Sequence, residues 1–120
     1  MDRHLEGWIA ELTARDLLLA RGLKLIAQNY RCRSGELDLV LLDQGVLTVV
    51  EVRLRRSLKF GGASVSIDHE KRRRIIQATR HLLLTRRELR HLPLRFDVVA
   101  FDQSTGSPEP EWIRGAFDAS

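Results

Sequence analysis

The stretch Glu36-Leu37-Asp38-Leu39-Val40-Leu41-Leu42, a break at Asp43-Gln44-Gly45, and Val46-Leu47-Thr48-Val49-Val50-Glu51-Val52-Arg53 constrain this chain more than any other part of it. Both arms are rich in Val, Leu and Thr and the break carries Asp and Gly, so two antiparallel strands are predicted. Leu37, Leu39 and Leu41 leave one side of the first arm, while Val40 and Leu42 leave the other. Apolar side chains on both faces require a layer above and a layer below, which places the hairpin at the centre of a sandwiched sheet.

Charge sits at one end of the hairpin only, and register decides what it can do. A loop of two residues (Gln44-Gly45) or of four sets Asp38 opposite Glu51 and Glu36 opposite Arg53, with all four on one face. A loop of three sends Asp38 and Glu51 to opposite faces. Gly as the second residue of Gln44-Gly45 favours the two-residue form. Directly opposed carboxylates repel unless they share a cation or a proton. Asp and Glu oxygens, with a backbone carbonyl and water, suit a Mg2+ ion, which can activate water against a phosphodiester. A structural quartet, with Glu36 paired to Arg53 and Asp38 at a solvated strand end, meets the same spacing.

The 120 residues, 43% of them apolar, provide for one domain with one core. The single Cys32 excludes an internal disulfide, and the four histidines are scattered, so no zinc set is offered. Met1-Asp2-Arg3-His4 leads into a charged amphipathic segment, and no run reaches the roughly 20 apolar residues of a membrane span. A cytoplasmic protein is the expectation. Within residues 53–95, thirteen Lys or Arg face three acids, a local balance of +10 that leaves −6 elsewhere. Such asymmetry is the footprint of a polyanion-binding face, although charge runs are also ordinary solvated surface.

In chain order, residues 5–21 read as a helix closed by Gly22. Ala10, Ala14, Leu17 and Leu18 form an inward stripe with Glu11 at its edge, and Leu5, Trp8, Ile9, Leu12 and Leu19 form a second one. That second stripe needs a cover, either the tail with Trp112, Ile113 and Phe117 or a second subunit. A strand is predicted over 23–30, with Arg31 and Arg33 beside the acidic end of the hairpin, where they bind phosphate or neutralise Glu36. Residues 54–66 read as a basic loop in which Arg55, Arg56 and Lys59 precede Gly61-Gly62. A long helix is predicted over 67–90 with Ser66 or Asp68 as its cap, Ile75, Ala78 and Leu82 inward, and Lys71 on that same stripe. Lys71 there either snorkels to solvent or delivers an ammonium to the acidic end of the sheet. Arg73 and Arg80 lie on the outer face and suit phosphate contacts. A strand follows over 94–101, with Asp97 and Arg95 as a structural pair, then a polar loop over 103–110 and a short edge strand over 111–117. The order is that of an α/β sandwich built on a mixed sheet.

Gly35-Glu36-Leu37-Asp38 and Val50-Glu51-Val52-Arg53 resemble the Asp and Glu-x-Lys elements of the PD-(D/E)XK nuclease-like superfamily. With Gly7, Glu11, Ala14, Gly22, Asn29-Tyr30-Arg31, Phe60-Gly61, Lys71, Arg95-Phe96-Asp97-Val98 and Ala116-Phe117, the chain is similar over nearly its whole length to the small bacterial YraN family. That family is regarded as a relative of Holliday-junction resolvases. The resemblance implies a restriction-endonuclease-like sheet flanked by helices, a Mg2+ or Mn2+ ion on Asp38 and Glu51, and nucleic acid as partner, DNA and its branched forms included. It implies catalytic roles for Asp38, Glu51, Arg53 and Lys71, with Glu11 and Glu36 supporting. The motif's lysine is here Arg53, which stays protonated and cannot act as a base, though it can stabilise phosphate charge. A nucleic-acid-binding module without hydrolysis, and a partner-binding protein, are therefore the alternatives.

Overall fold

The computed structural model describes residues 3–55, 67–102 and 110–119, without the side chains of residues 3–5 and 55. Its elements are α1 (Arg3–Ala20), β1 (Lys24–Cys32), β2 (Gly35–Asp43), β3 (Val46–Arg55), α2 (His69–Thr85), β4 (Leu94–Asp102) and β5 (Glu111–Phe117). Gln44 and Gly45 take positive φ angles of 50° and 84°, as a type I′ turn requires, and Asp43 pairs with Val46 across them. The loop is thus the two-residue form expected from sequence. The sheet runs β1-β2-β3-β4-β5, antiparallel except for the parallel β3–β4 pair that α2 connects. Five mixed strands with a helix on each face are consistent with a restriction-endonuclease-like fold.

The two faces bury separate cores. Ala10, Ala14 and Leu18 of α1 pack on Leu39, Leu41, Val50, Val99 and Phe101, and Ile75, Ala78 and Leu82 of α2 pack on Val40, Val49, Phe96, Val98 and Ala100. Both inward stripes are those expected from sequence. Burial of each Leu or Ile contributes about 1.5–3 kcal/mol, which holds the highly charged α2 to the sheet. Leu37 departs from expectation, because it joins Val40 beneath α2 rather than Leu39 and Leu41 beneath α1. Strand alternation slips at Asp38, opposite the part of β1 where Asn29 adopts a φ of 52°.

Helix α2 is shorter than the predicted 67–90. Asp68 caps it by accepting from the Lys71 amide at 2.8 Å, and it ends at Thr85, whose hydroxyl turns back to the Leu82 carbonyl. A 3-10 turn over Arg87–Leu89 follows. Asp97 is fully buried as the acceptor for Arg95, the Trp112 indole N–H and the Gly115 amide, and Arg95 also reaches Asp43 at 2.7 Å. The expected Arg95–Asp97 pair thereby fastens β5 to the sheet. The tail extends the sheet as that edge strand, leaving Trp8, Ile9 and Leu19 of α1 exposed. No helix among the described residues is long and apolar enough to cross a membrane.

Candidate active site

The β2–β3 pairing runs from Asp43↔Val46 to Leu39↔Val50, and just beyond it the Val52 amide donates to Asp38 Oδ2 at 2.9 Å. A side chain taking a ladder amide holds the Asp38 carboxylate in the fork between the two strands. Glu51 follows Val50 on β3 and is buried; its Oε1 meets Lys71 Nζ at 3.2 Å, its Oε2 has no N–H or O–H donor among the described residues, and the side chain lies within hydrogen-bond reach of the Asp38 carboxyl. Lys71 therefore delivers its ammonium to the acidic end of the sheet, as its position on the inward stripe of α2 suggested. Buried acceptors lacking a donor are uncommon and costly, which makes Glu51 Oε2 a candidate ligand atom.

Glu11 reaches the same fork from α1. Carboxylate oxygens of Glu11, Glu36 and Asp38 lie within 4.8 Å of one another. Asn29 stands between two of them: in the amide orientation that satisfies its neighbours, its NH2 donates to Glu11 Oε1 at 2.9 Å and to Glu36 Oε1 at 3.1 Å. Burial pushes Glu51 up to about 8, with the Asp38 charge adding to the rise and Lys71 opposing it. Burial likewise pushes Glu11 up to about 7, reinforced by Asp38 and Glu36 and opposed by Arg31. Asp38 is also raised, chiefly by burial, against the Val52 amide and Lys71. Burial is the largest cause of all three rises, and at Glu11 and Glu51 the neighbouring carboxylate charge adds to it. All of them line a cleft of about 510 Å³, whose walls also include Gly7, Trp8 and Leu54.

The sequence profile of the uncharacterised protein family UPF0102 matches residues 10–101, a span that contains every carboxylate of this cluster and Lys71. The chain belongs to this family. It is 42% identical over 114 residues to a UPF0102 protein of Legionella pneumophila strain Philadelphia 1, covering 95% of each chain. The UPF0102 protein of Methylococcus capsulatus strain Bath is 43% identical over 117 residues, 98% of this chain and 94% of its own. That of Ectopseudomonas mendocina is 45% identical over 113 residues, 94% of each.

In this UPF0102 member the structure brings together Glu11, Glu36, Asp38, Glu51 and Lys71. Arg31 lines the cleft and lies 3.5 Å from Glu36. Arg33 is exposed in the β1–β2 turn. Arg53 sits half-buried on β3 opposite Ala100 of β4, outside the residues that line the cleft. Arg73 and Arg80 are exposed on the outer side of α2, where they line a separate groove, and Arg73 pairs with Glu70 at 3.1 Å. Arg56 and Lys59 lie outside the described residues, as does the side chain of Arg55. Of the second α1 stripe, Trp8 and Ile9 are exposed, Leu12 is half-buried, and the Leu5 side chain is outside the described set. Reading the sequence missed the role of Asn29. Asn29-Tyr30-Arg31 is one of the pieces that carry the resemblance, and the further local signal was an asparagine within a strand, a residue type that tolerates positive φ better than most.

Proposed function

We propose that this protein is a metal-dependent nuclease-like protein that hydrolyses phosphodiester bonds in nucleic acid. The observation that carries the reading is the convergence of Glu11, Glu36 and Asp38 oxygens within 4.8 Å, beside a buried Glu51 Oε2 that no N–H or O–H donor among the described residues reaches. The donor set fits a hard divalent cation: it is all oxygen and carries surplus charge that a cation would relieve. Asp38 and Glu51 would hold Mg2+ or Mn2+, with Glu11 and Glu36 as further carboxylates. Such an ion supplies an activated water and polarises the phosphoryl oxygens. The protein's own contribution is positional. Asn29 and the Val52 amide fix the carboxylates, Arg31 stands on the cleft wall where a phosphate would enter, and Lys71 offers a cation against charge developing on the phosphate.

Arg53 occupies the motif's lysine position but stays protonated and cannot act as a base, and Lys71 is the lysine that lines the cleft. The same observation favours a second reading, a binding module that has lost hydrolysis. Incubation with linear, single-stranded and branched DNA and RNA in Mg2+ and in Mn2+ separates the two. The nuclease reading expects cation-dependent cutting that Asp38→Ala abolishes. Binding that falls with salt, without cutting in either metal, selects the binding module.

A further inference from the structure

Resting on the nuclease reading, we propose that Trp8 and Leu54 form a pocket for an unstacked nucleobase beside the acidic cluster. The substrates of this site are then single-stranded or branched nucleic acids rather than continuous duplex. Trp8 is 56% exposed and Leu54 is 37% exposed, yet both line the cleft that contains Glu11, Asp38 and Lys71. Large apolar side chains left in water within a polar cleft suit a ligand that has an apolar face and a charged group together. A nucleotide has both: its base stacks on an indole, and its phosphate meets Arg31 and Lys71 in the same cleft.

Gly7 gives an independent indication. Glycine inside a helix lowers stability relative to alanine, and no packing contact among the described residues requires it here, since a Cβ at Gly7 would meet none of their atoms within 4 Å. Gly7 lines the same cleft, so its missing side chain leaves open room next to the Trp8 ring. Trp8 and Glu11 are separated by one helical turn, roughly 5–6 Å between Cβ atoms, so a nucleotide whose phosphate lies at the cluster has a base within reach of the indole. A base stacked and paired in continuous duplex cannot present its face to that wall, whereas an unpaired one can. The other occupant an exposed tryptophan can take is a second copy of the chain, and the experiment separates the two.

The test measures binding of fluorescein-labelled single-stranded, forked and continuous duplex oligonucleotides to the full chain, without divalent cation and with Ca2+. Wild type should prefer the single-stranded and forked probes. Trp8→Ala should weaken those two by about fivefold or more and duplex by much less, and Trp8→Phe should restore most of the loss. Gly7→Ala should raise the melting temperature while weakening the forked probe. Equal losses on all three probes, no loss, or conversion by Trp8→Ala of a dimer into a monomer overturns the proposal. Cutting in Mg2+ or Mn2+, with Asp38→Ala as control, is scored separately. If nothing cuts while Trp8→Ala still selectively loses forked DNA, the nuclease reading fails and the base pocket stands; Asp38-dependent cutting with no Trp8 selectivity is the reverse.

Discussion

At the scale of single residues, Asn29 does two things that a comparison of substitutions separates. Its backbone takes a φ of 52°, and its amide links Glu11 to Glu36. Asn29→Gly keeps the backbone and loses the link; Asn29→Ala loses both and should destabilise the cation-free protein by about 1–2 kcal/mol in urea denaturation. Asn29→Asp replaces a donor with another negative charge, so it should be the least stable of the three without cation and recover in part with Mg2+ or Mn2+. Equal stability of Asn29→Asp and wild type would show that the cluster is not electrostatically strained. The raised carboxyls give a pH dependence whose sign is fixed. Glu51 and Glu11 are pushed from 4.5 to about 8 and about 7, so the folded state holds their protons more tightly than the unfolded chain. Stability from that source is complete below about pH 4.5 and is lost as pH rises through 7 to 8. Melting temperature measured without divalent cation should therefore lose this contribution across that window, and Glu51→Gln should flatten the loss. Asp38 and Glu51 were legible as a pair because an even loop sets register by arithmetic. The role of Asn29 was not, because a neutral amide carries no charge signal and periodicity does not report a left-handed backbone within a strand.

At the scale of elements, the two-residue turn governs the site. One residue inserted between Gln44 and Gly45 should turn Asp38 and Glu51 to opposite faces and abolish any stabilisation by Mn2+ in thermal denaturation, while the fold survives at reduced stability. Stabilisation by Mn2+ equal to wild type would detach cation binding from this pair. The start of α2 matters for a different reason, since the Asp68 cap accepts the amide of Lys71 itself. Asp68→Ala should cost about 1 kcal/mol in urea denaturation. The inward stripes of both helices were readable from periodicity, and β5 was readable as an edge strand. The end of α2 was not: basic residues past Thr85 continue a helical pattern, but Thr85 turns its hydroxyl onto the Leu82 carbonyl, and Arg90 Nε takes the Leu83 carbonyl. Leu37 was misassigned because alternation assumes an unbroken strand, and the strand gives way at Asp38.

At the scale of the whole molecule, the described basic residues within 53–95 are spread over the protein rather than gathered at the cleft. Lys71 faces the carboxylates, whereas Arg73 and Arg80 look outward from α2 along a groove of about 420 Å³. Glu70 partly neutralises that side, being held below its usual range by Arg73 and Arg74. The charge was legible in sequence, but its division follows from helical geometry: Lys71 shares the buried side with Ile75 and Leu82, and the arginines occupy the other. If the outer groove follows a nucleic-acid backbone, the charge reversals Arg73→Glu and Arg80→Glu together should weaken duplex DNA and make the plot of log affinity against log salt shallower by about 2, since each phosphate contact contributes about 0.9 to the slope. Stabilisation by Mg2+ should remain, because neither residue belongs to the carboxylate cluster. An unchanged slope in the double variant, with the slope reduced instead by Arg31→Ala, would make the outer face plain solvated surface and confine phosphate contacts to the cleft.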